Sequence, residues 1–456
     1  MSSSSPVQVA RNRSVSWIVA LSTIGLIFDG YDLVVYGTLL PLFLRDPGQI
    51  GVVDPATAGA LGSYALIGVL VGALLAGSVA DLIGRRKVML TSYVWFSIGM
   101  AATALTGTAA AFGMLRFLTG LGIGALVATT GALVAEFAPP GRKNLLNAIT
   151  YSGVPLGSLL AALLAIFLLP VIGWRGMMLI GGLPLLIVFP LALIKMPESP
   201  SWLATRGRMD EARAVAQRCG MPEPVAPVAP STAAAQAPRE RAGFAGLATR
   251  EYLLPTALIG AMSAVGLLLV YALNTWLPEL MGRAGFSTKG SLSFLLVLNG
   301  GAVVGALVAS RYADRFEPRR IIAGSFALGA AAMILLTISL PVAALLAFVA
   351  LVGLGTSGTQ ILIYGFTASF YRTHVRSAGV AWCAGFGRLG GIGGPLIGGL
   401  LVASGLALNV IFYVLAALAA LAVVGVLLVL VIPHARRAEE SAGAPVPRSE
   451  RQPTST

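Results

Sequence analysis

Two carboxylates sit where water should be scarce. Phe28-Asp29-Gly30-Tyr31-Asp32 lies inside a run, residues 17–44, that otherwise has the composition of a membrane span, and Asp29 and Asp32 are its only acidic residues. On a helix, positions i and i+3 project from one face. A carboxylate at the bilayer centre costs about 2.5–3.5 kcal/mol on insertion scales, so two of them a turn apart call for a water-filled cavity. A carboxyl group withdrawn from water holds its proton more tightly, and a neighbouring carboxylate strengthens that hold. The two then titrate as a unit. The chemistry this suits is proton coupling; the structural alternative is a salt bridge to an intramembrane Arg or hydrogen bonds to nearby backbone.

Two cations share the apolar environment, Arg116 and Arg388. A guanidinium stays charged and offers a planar fork that matches a carboxylate bidentately. Both are therefore candidate contacts for an anionic substrate. Arg388 falls about twelve residues into its span, near mid-membrane at roughly 1.5 Å per residue. Arg116 falls nearer the opposite face, where pairing with an Asp of the first span or snorkelling are the competing readings. Glu136, just before Pro139-Pro140, is read as half of a gating ion pair, with Arg142, Lys143 or the basic residues near position 85 as partners.

The chain that must position these groups is 456 residues long, 57% hydrophobic and only 11% charged, with mean hydropathy +0.86. Soluble domains carry about 25% charged residues, so this is a membrane protein. Twelve spans are expected at 17–44, 56–80, 87–108, 111–137, 144–169, 175–194, 253–277, 288–312, 319–339, 341–369, 376–403 and 407–432. Of 31 Lys and Arg, only Arg45, Arg175, Arg283 and Lys289 fall in loops on one side, and two lie within spans. The rest crowd the side that holds both termini, which the positive-inside rule assigns to the cytoplasm. That asymmetry, rather than nucleic-acid binding, accounts for the net charge of +13.

The expected organisation is a cytoplasmic tail (1–16), a six-helix bundle (17–194), a cytoplasmic linker (195–250), a second six-helix bundle (251–432) and a cytoplasmic tail (433–456). Within the linker, Arg208 to Arg218 reads as a short amphipathic helix and Pro222 to Pro238 as flexible chain. The first apolar run is too long for a cleaved signal and holds two Asp, so it reads as a retained helix. Cys219 and Cys383 make no disulfide framework, and no zinc-type spacing or Walker lysine motif is present. His374 reads as a loop residue. Glycine clusters such as Gly120-Leu121-Gly122-Ile123-Gly124 lie within apolar spans and read as helix-contact surfaces.

The halves repeat. One spacing separates Asp81 from Asp314, Phe137 from Phe370 and Lys143 from Arg376, and parallel six-helix repeats with a site between them form a transporter architecture. Gly77-Ser78-Val79-Ala80-Asp81-Leu82-Ile83-Gly84-Arg85-Arg86-Lys87 resembles the loop signature of the major facilitator superfamily. Arg116-Phe117-Leu118-Thr119-Gly120 and Pro197-Glu198-Ser199-Pro200 resemble two further motifs of that group. Asp29-Gly30-Tyr31-Asp32 and Gly387-Arg388-Leu389-Gly390 resemble its aromatic acid:proton symporter family. Arg372-Thr373 and Glu317-Pro318 depart from that pattern, which suggests a differently tuned second gating loop.

The resemblance implies an all-α fold of twelve transmembrane helices in two pseudo-symmetric halves, and no enzyme activity. It implies gating by Asp81, Arg85 and Arg86, with Asp314 and Arg315 as the second copy. Spans 1, 4, 7 and 10 would line the cavity, making Tyr31, Tyr271, Asn274, Gln360 and Tyr364 further substrate contacts. The expected function is import of a benzoate-like carboxylate together with protons, by a monomer in a bacterial-type inner membrane, with the proton gradient as energy source and no cofactor. The alternatives are a carrier of another organic anion, an exporter, or an aromatic-acid chemoreceptor.

Overall fold

The computed structural model describes residues 6–139, 141–224, 243–313 and 315–431. Among the expected groups, Asp314, the C-terminal tail and most of the Pro/Ala-rich linker lie outside the described residues, whereas residues 6–16 of the expected N-terminal tail form the start of the first helix. The first half contains α1 (Pro6–Arg45), α2 (Pro55–Ile83), α3 (Arg85–Thr103), α4 (Ala109–Phe137), α5 (Lys143–Tyr151), α6 (Gly153–Gly181) and α7 (Val188–Lys195). Three short helices follow, α8 (Pro200–Thr205), α9 (Met209–Arg218) and α10 (Phe244–Leu247). The second half contains α11 (Leu253–Arg283), α12 (Thr288–Ala313), α13 (Pro318–Leu335), α14 (Val342–Gly353), α15 (Thr359–Phe370), α16 (Thr373–Ala403) and α17 (Leu408–Val431).

Ten helical stretches among the described residues are long and apolar enough to cross a membrane. The third and sixth crossings fall short of that measure for local reasons. Helix α3 opens on Arg85-Arg86-Lys87, which dilutes its apolar character. The sixth crossing starts inside α6, where Gly173 turns the chain at φ 66°. It is then broken by a 3₁₀ turn over Leu183–Leu185 before α7 completes it. With these two the fold has the twelve crossings expected.

The halves are built alike. Helix α1 packs on α6 and α2 on α4; in the second half α11 packs on α16 and α12 on α14. Glycine makes these approaches close enough for lipid-embedded packing. A Cβ on Gly30 would stand 1.9 Å from the Val154 carbonyl oxygen of α6, so the glycine between the two aspartates is a helix contact. Between Leu354 and Gly358 the tenth crossing runs as a π-helix, and the Thr359 hydroxyl donates to the Leu354 carbonyl at 3.1 Å. Such bulges shift the phase of the residues that follow.

We call the side holding the ends of α1 and α17 the basic face. The halves meet through α1 against α11, α2 against α16 and α6 against α12. The close contacts of α1 with α11 and of α2 with α16 lie toward the far face. A Cβ on Gly37 would be 2.0 Å from the Asn274 carbonyl oxygen. The Ser63 hydroxyl donates to the Ile392 carbonyl at 2.7 Å. Trp276 Nε1 donates to the Pro395 carbonyl at 2.9 Å within the second half and stiffens that wall. Toward the basic face α2 turns instead onto α4, where Gly68 and Gly72 abut the backbone of Phe117 and Leu121.

Candidate functional site

Between the halves lies a cavity with an empty volume of about 540 Å³, counted out to its mouth. Its polar lining is Asp29, Asp32, Tyr36, Arg116, Tyr271, Thr275 and Arg388. From α1 the contributing residues are Asp29, Asp32, Leu33 and Tyr36, spaced i, i+3, i+4 and i+7, one stripe of a helix. That stripe brings both predicted carboxylates and both intramembrane arginines to one space.

The four charges are not equivalent. Arg116 Nη1 and Asp32 Oδ1 form an ion pair, and Arg116 Nη2 reaches the Asp32 carbonyl at 3.4 Å. Both residues are buried, at 2% and 5% exposure. The Arg116 guanidinium carbon also stands 5.7 Å from the centre of the Tyr36 ring, whose hydroxyl donates to the Ala58 carbonyl at 2.6 Å. This is the Arg–Asp pairing that competed with substrate contact for Arg116. The Arg116 Nε–H has no hydrogen-bond partner among the described residues. Asp29 and Arg388 line the same cavity half-buried, and among the described residues no ion pair within 4.0 Å engages either. One carboxylate is thus tied to its cation while the other faces a cation across open space.

Other expected contacts are placed elsewhere. Tyr31, two residues off the cavity stripe, is buried and donates its hydroxyl to the Met177 carbonyl at 2.7 Å. Asn274 accepts from Asn299 Nδ2 at 2.9 Å and donates to the Val270 carbonyl at 2.8 Å, which ties α11 to α12. Gln360 Nε2 donates to Ser263 Oγ at 2.9 Å between α15 and α11. Tyr364 is half-buried one turn further along α15. None of these four lines the cavity; Tyr271 does. Tyr36 and Thr275 line it without having been singled out as contacts. The signal for each was helix phase, since they follow Asp32 and Tyr271 at i+4.

At the basic face the predicted gate residues converge on the segment after α7. Arg85 Nη1 pairs with Glu136 Oε2 at 2.7 Å, so Arg85 is the partner among those expected. The same carboxylate accepts from Ser199 Oγ at 2.7 Å and from the Ser201 N–H at 2.9 Å. The Arg86 N–H donates to Glu198 Oε1 at 2.9 Å, while its side chain donates to the Met196 and Leu193 carbonyls at 2.7 Å each. Gly84, at φ 102°, makes room for Glu198: a Cβ there would lie 2.5 Å from its carboxylate. Asp81 departs from expectation. Its carboxylate is exposed and enters no ion pair among the described residues; its backbone carbonyl accepts from Trp202 Nε1 and Arg206 Nη2, each at 2.8 Å. In the second copy Arg315 is exposed at the turn after α12. There the acid is Glu317, which reaches Arg320 at 3.0 Å and Arg319 at 3.4 Å.

One charge cluster had no counterpart in the sequence reading. Glu279 is 5% exposed and pairs with Arg283 at 2.8 Å and with Arg45, from the other half, at 3.5 Å. Span 7 was expected to end at residue 277, but α11 continues to Arg283. The readable signal was the i, i+4 Glu–Arg spacing.

Residues 22–308 and 288–455 match the sequence pattern of the Major Facilitator Superfamily. The chain is 34% identical to the benzoate transport protein of Acinetobacter baylyi, over 85% of this chain and 83% of that one. It is 34% identical to the gentisate transporter of Corynebacterium glutamicum, covering 84% and 80%. Against the 4-hydroxybenzoate transporter of A. baylyi the identity is 31%, covering 88% of each. In structure it resembles the inward open conformation of the xylose transporter XylE from Escherichia coli, with TM-score 0.71 and 18% identity, over 91% of this chain and 96% of that one. At that identity the likeness speaks for the fold.

Proposed function

The chain belongs to the major facilitator superfamily, and on that premise we propose that it imports an aromatic carboxylate together with protons by alternating access. The observation that carries the reading is the unequal use of charge in the central cavity. Arg116 is spent on Asp32, so the counter-ion left for a substrate is Arg388, and the group competing for Arg388 is Asp29. While Asp29 is ionised it satisfies Arg388 across the cavity and repels an incoming carboxylate. Once Asp29 takes a proton, Arg388 lacks a counter-charge and a carboxylate takes that role bidentately. Proton and substrate then favour each other's binding, which is a coupling free energy between two sites.

The basic face is assigned to the cytoplasm of a bacterial inner membrane, as the Lys/Arg asymmetry favours. Contacts between the halves toward the far face then correspond to an inward-facing state. Separation of Gly37 from Asn274 and of Ser63 from Ile392 opens the other side. In the state described here the exposed Asp81 carboxylate is unengaged, ready to brace the cytoplasmic side when it closes. The aromatic ring finds Tyr36, Tyr271 and the apolar wall of Leu33, Val69 and Pro395. Drawing in an anion against a negative-inside potential costs about 2.3 kcal/mol per charge per 100 mV, which one co-transported proton cancels and a second reverses.

The test is uptake by purified protein in liposomes. Labelled benzoate, 4-hydroxybenzoate or gentisate should accumulate when the lumen is made alkaline relative to the medium. Failure to accumulate any aromatic acid, with proton-driven efflux in its place, overturns the reading.

A further inference from the structure

The far mouth holds a second, narrow cleft, distinct from the central cavity, with an empty volume of about 260 Å³ counted out into open solvent. It is lined by Thr38, Pro41 and Arg45 of α1, Pro278 and Gly282 of α11, and by Phe286, Thr288, Ser291 and Leu292 at the start of α12. We propose that this cleft is a second carboxylate site, at which the aromatic acid is held before it passes to the central cavity. The proposal rests on the transport reading given above.

Four observations carry it. First, charge: the far side has four Lys and Arg in its loops, and three of them, Arg45, Arg283 and Lys289, gather at this corner. Glu279 offsets one of the two arginines it touches, and Arg283 holds it at 2.8 Å against 3.5 Å for Arg45. Asp46, beside Arg45, is engaged by its own turn, accepting from the Gly48 N–H at 2.9 Å and from Gln49. The three cations outnumber the carboxylates of Glu279 and Asp46, so the corner keeps a net positive charge, and the Arg45 side chain is 58% exposed.

Second, Ser291 lines the cleft at 3% exposure, and its buried hydroxyl has no hydrogen-bond partner among the described residues. Orphaned buried hydroxyls are uncommon and ask for an explanation; a carboxylate oxygen supplies one. Third, the two groups converge. A Cβ on Gly282 would lie 2.8 Å from Arg45 Nη2 and 3.8 Å from Ser291 Oγ, so the glycine keeps clear the space they share. The first turn of α12, a 26-residue helix, adds its positive dipole end there.

Fourth, the remaining wall fits a ring. Pro41, Pro278 and Leu292 are apolar, and Phe286 is fixed edge-on to Phe294 at 4.8 Å. The same two helices line both sites: α1 runs from Tyr36 in the cavity to Thr38 in the cleft, and α11 from Thr275 to Pro278. Between them stands the contact of Gly37 with the Asn274 backbone. Parting of the halves at the far face removes that seal and joins the cleft to Arg388.

Equilibrium binding of labelled benzoate to the full-length protein in nanodiscs tests this. Wild type should give two phases, the weaker from the cleft. Arg45→Gln and Ser291→Val should each weaken that phase tenfold or more and leave the stronger one in place. Ser291→Thr, which keeps the hydroxyl, should retain both, and Arg388→Ala should remove only the stronger. A single phase of one benzoate per chain that Arg388→Ala abolishes overturns the proposal, as does a weak phase indifferent to Arg45→Gln and Ser291→Val. If the Arg388-dependent phase is missing while the weak one still responds to Arg45→Gln, the cleft stands and the transport reading falls.

Discussion

Removing either member of the Asp32–Arg116 pair should harm the fold more than removing both. The two side chains are nearly inaccessible, at 6% and 2% exposure. Asp32→Ala leaves a guanidinium enclosed by Tyr36 and the α2 wall with no counter-charge, and Arg116→Ala leaves a carboxylate in the same position. Breaking a buried pair from one side costs about 3–5 kcal/mol, whereas replacing the whole pair with apolar groups is often close to neutral. If the singles acted independently the double variant would lose about 6–10 kcal/mol, comparable to the whole stability of a typical domain. The geometry predicts instead a double variant no worse than either single, hence a coupling energy of about 3 kcal/mol or more. Thermal or denaturant unfolding of the four proteins in one detergent, followed by tryptophan fluorescence, measures this cycle. Additive losses would refute the claim that Arg116 is spent on Asp32 and would return Arg116 to the list of direct substrate ligands.

Three further outcomes follow from the site. Asp29→Asn should keep exchange of labelled for unlabelled benzoate across the membrane but lose accumulation driven by a proton gradient, as measured in the same liposomes; accumulation at the wild-type level would remove Asp29 from coupling. Arg388→Lys keeps the charge but loses the planar fork, so benzoate affinity should fall about tenfold or more, equivalent to 1.4 kcal/mol, while thermal stability stays close to wild type. Gly30→Ala forces a methyl group to within 1.9 Å of the Val154 carbonyl oxygen; overpacking of that kind costs about 1–3 kcal/mol, readable as a lower melting temperature, and Gly→Ala without loss would show that α1 and α6 move apart freely.

What could be read from the sequence divides along a physical line. The spans were legible because hydrocarbon demands about twenty apolar residues per crossing, and the two imperfect crossings were those where Arg85-Arg86-Lys87 and Gly173 interrupt that demand. Asp29, Asp32, Arg116 and Arg388 stood out because each is costly in a bilayer, and the fold brings all four to one cavity. Which acid takes which arginine was not legible, because sequence spacing is silent on the distance between α1 and α4. Helix phase held more information than the choice of Tyr31 used: counting from Asp29, the positions i+3, i+4 and i+7 select Asp32, Leu33 and Tyr36, and Tyr31 falls off that face and packs toward Met177. Asn274 shows the reverse limit, since its neighbours Tyr271 and Thr275 reach the cavity while its own amide meets Asn299. A polar residue in a membrane helix has two ways to offset its burial, a substrate or a partner helix, and only the packing decides between them. The same reasoning assigns the division of labour at the centre: Asp32 has found its partner within the protein, so Asp29 is left to find one that arrives from outside.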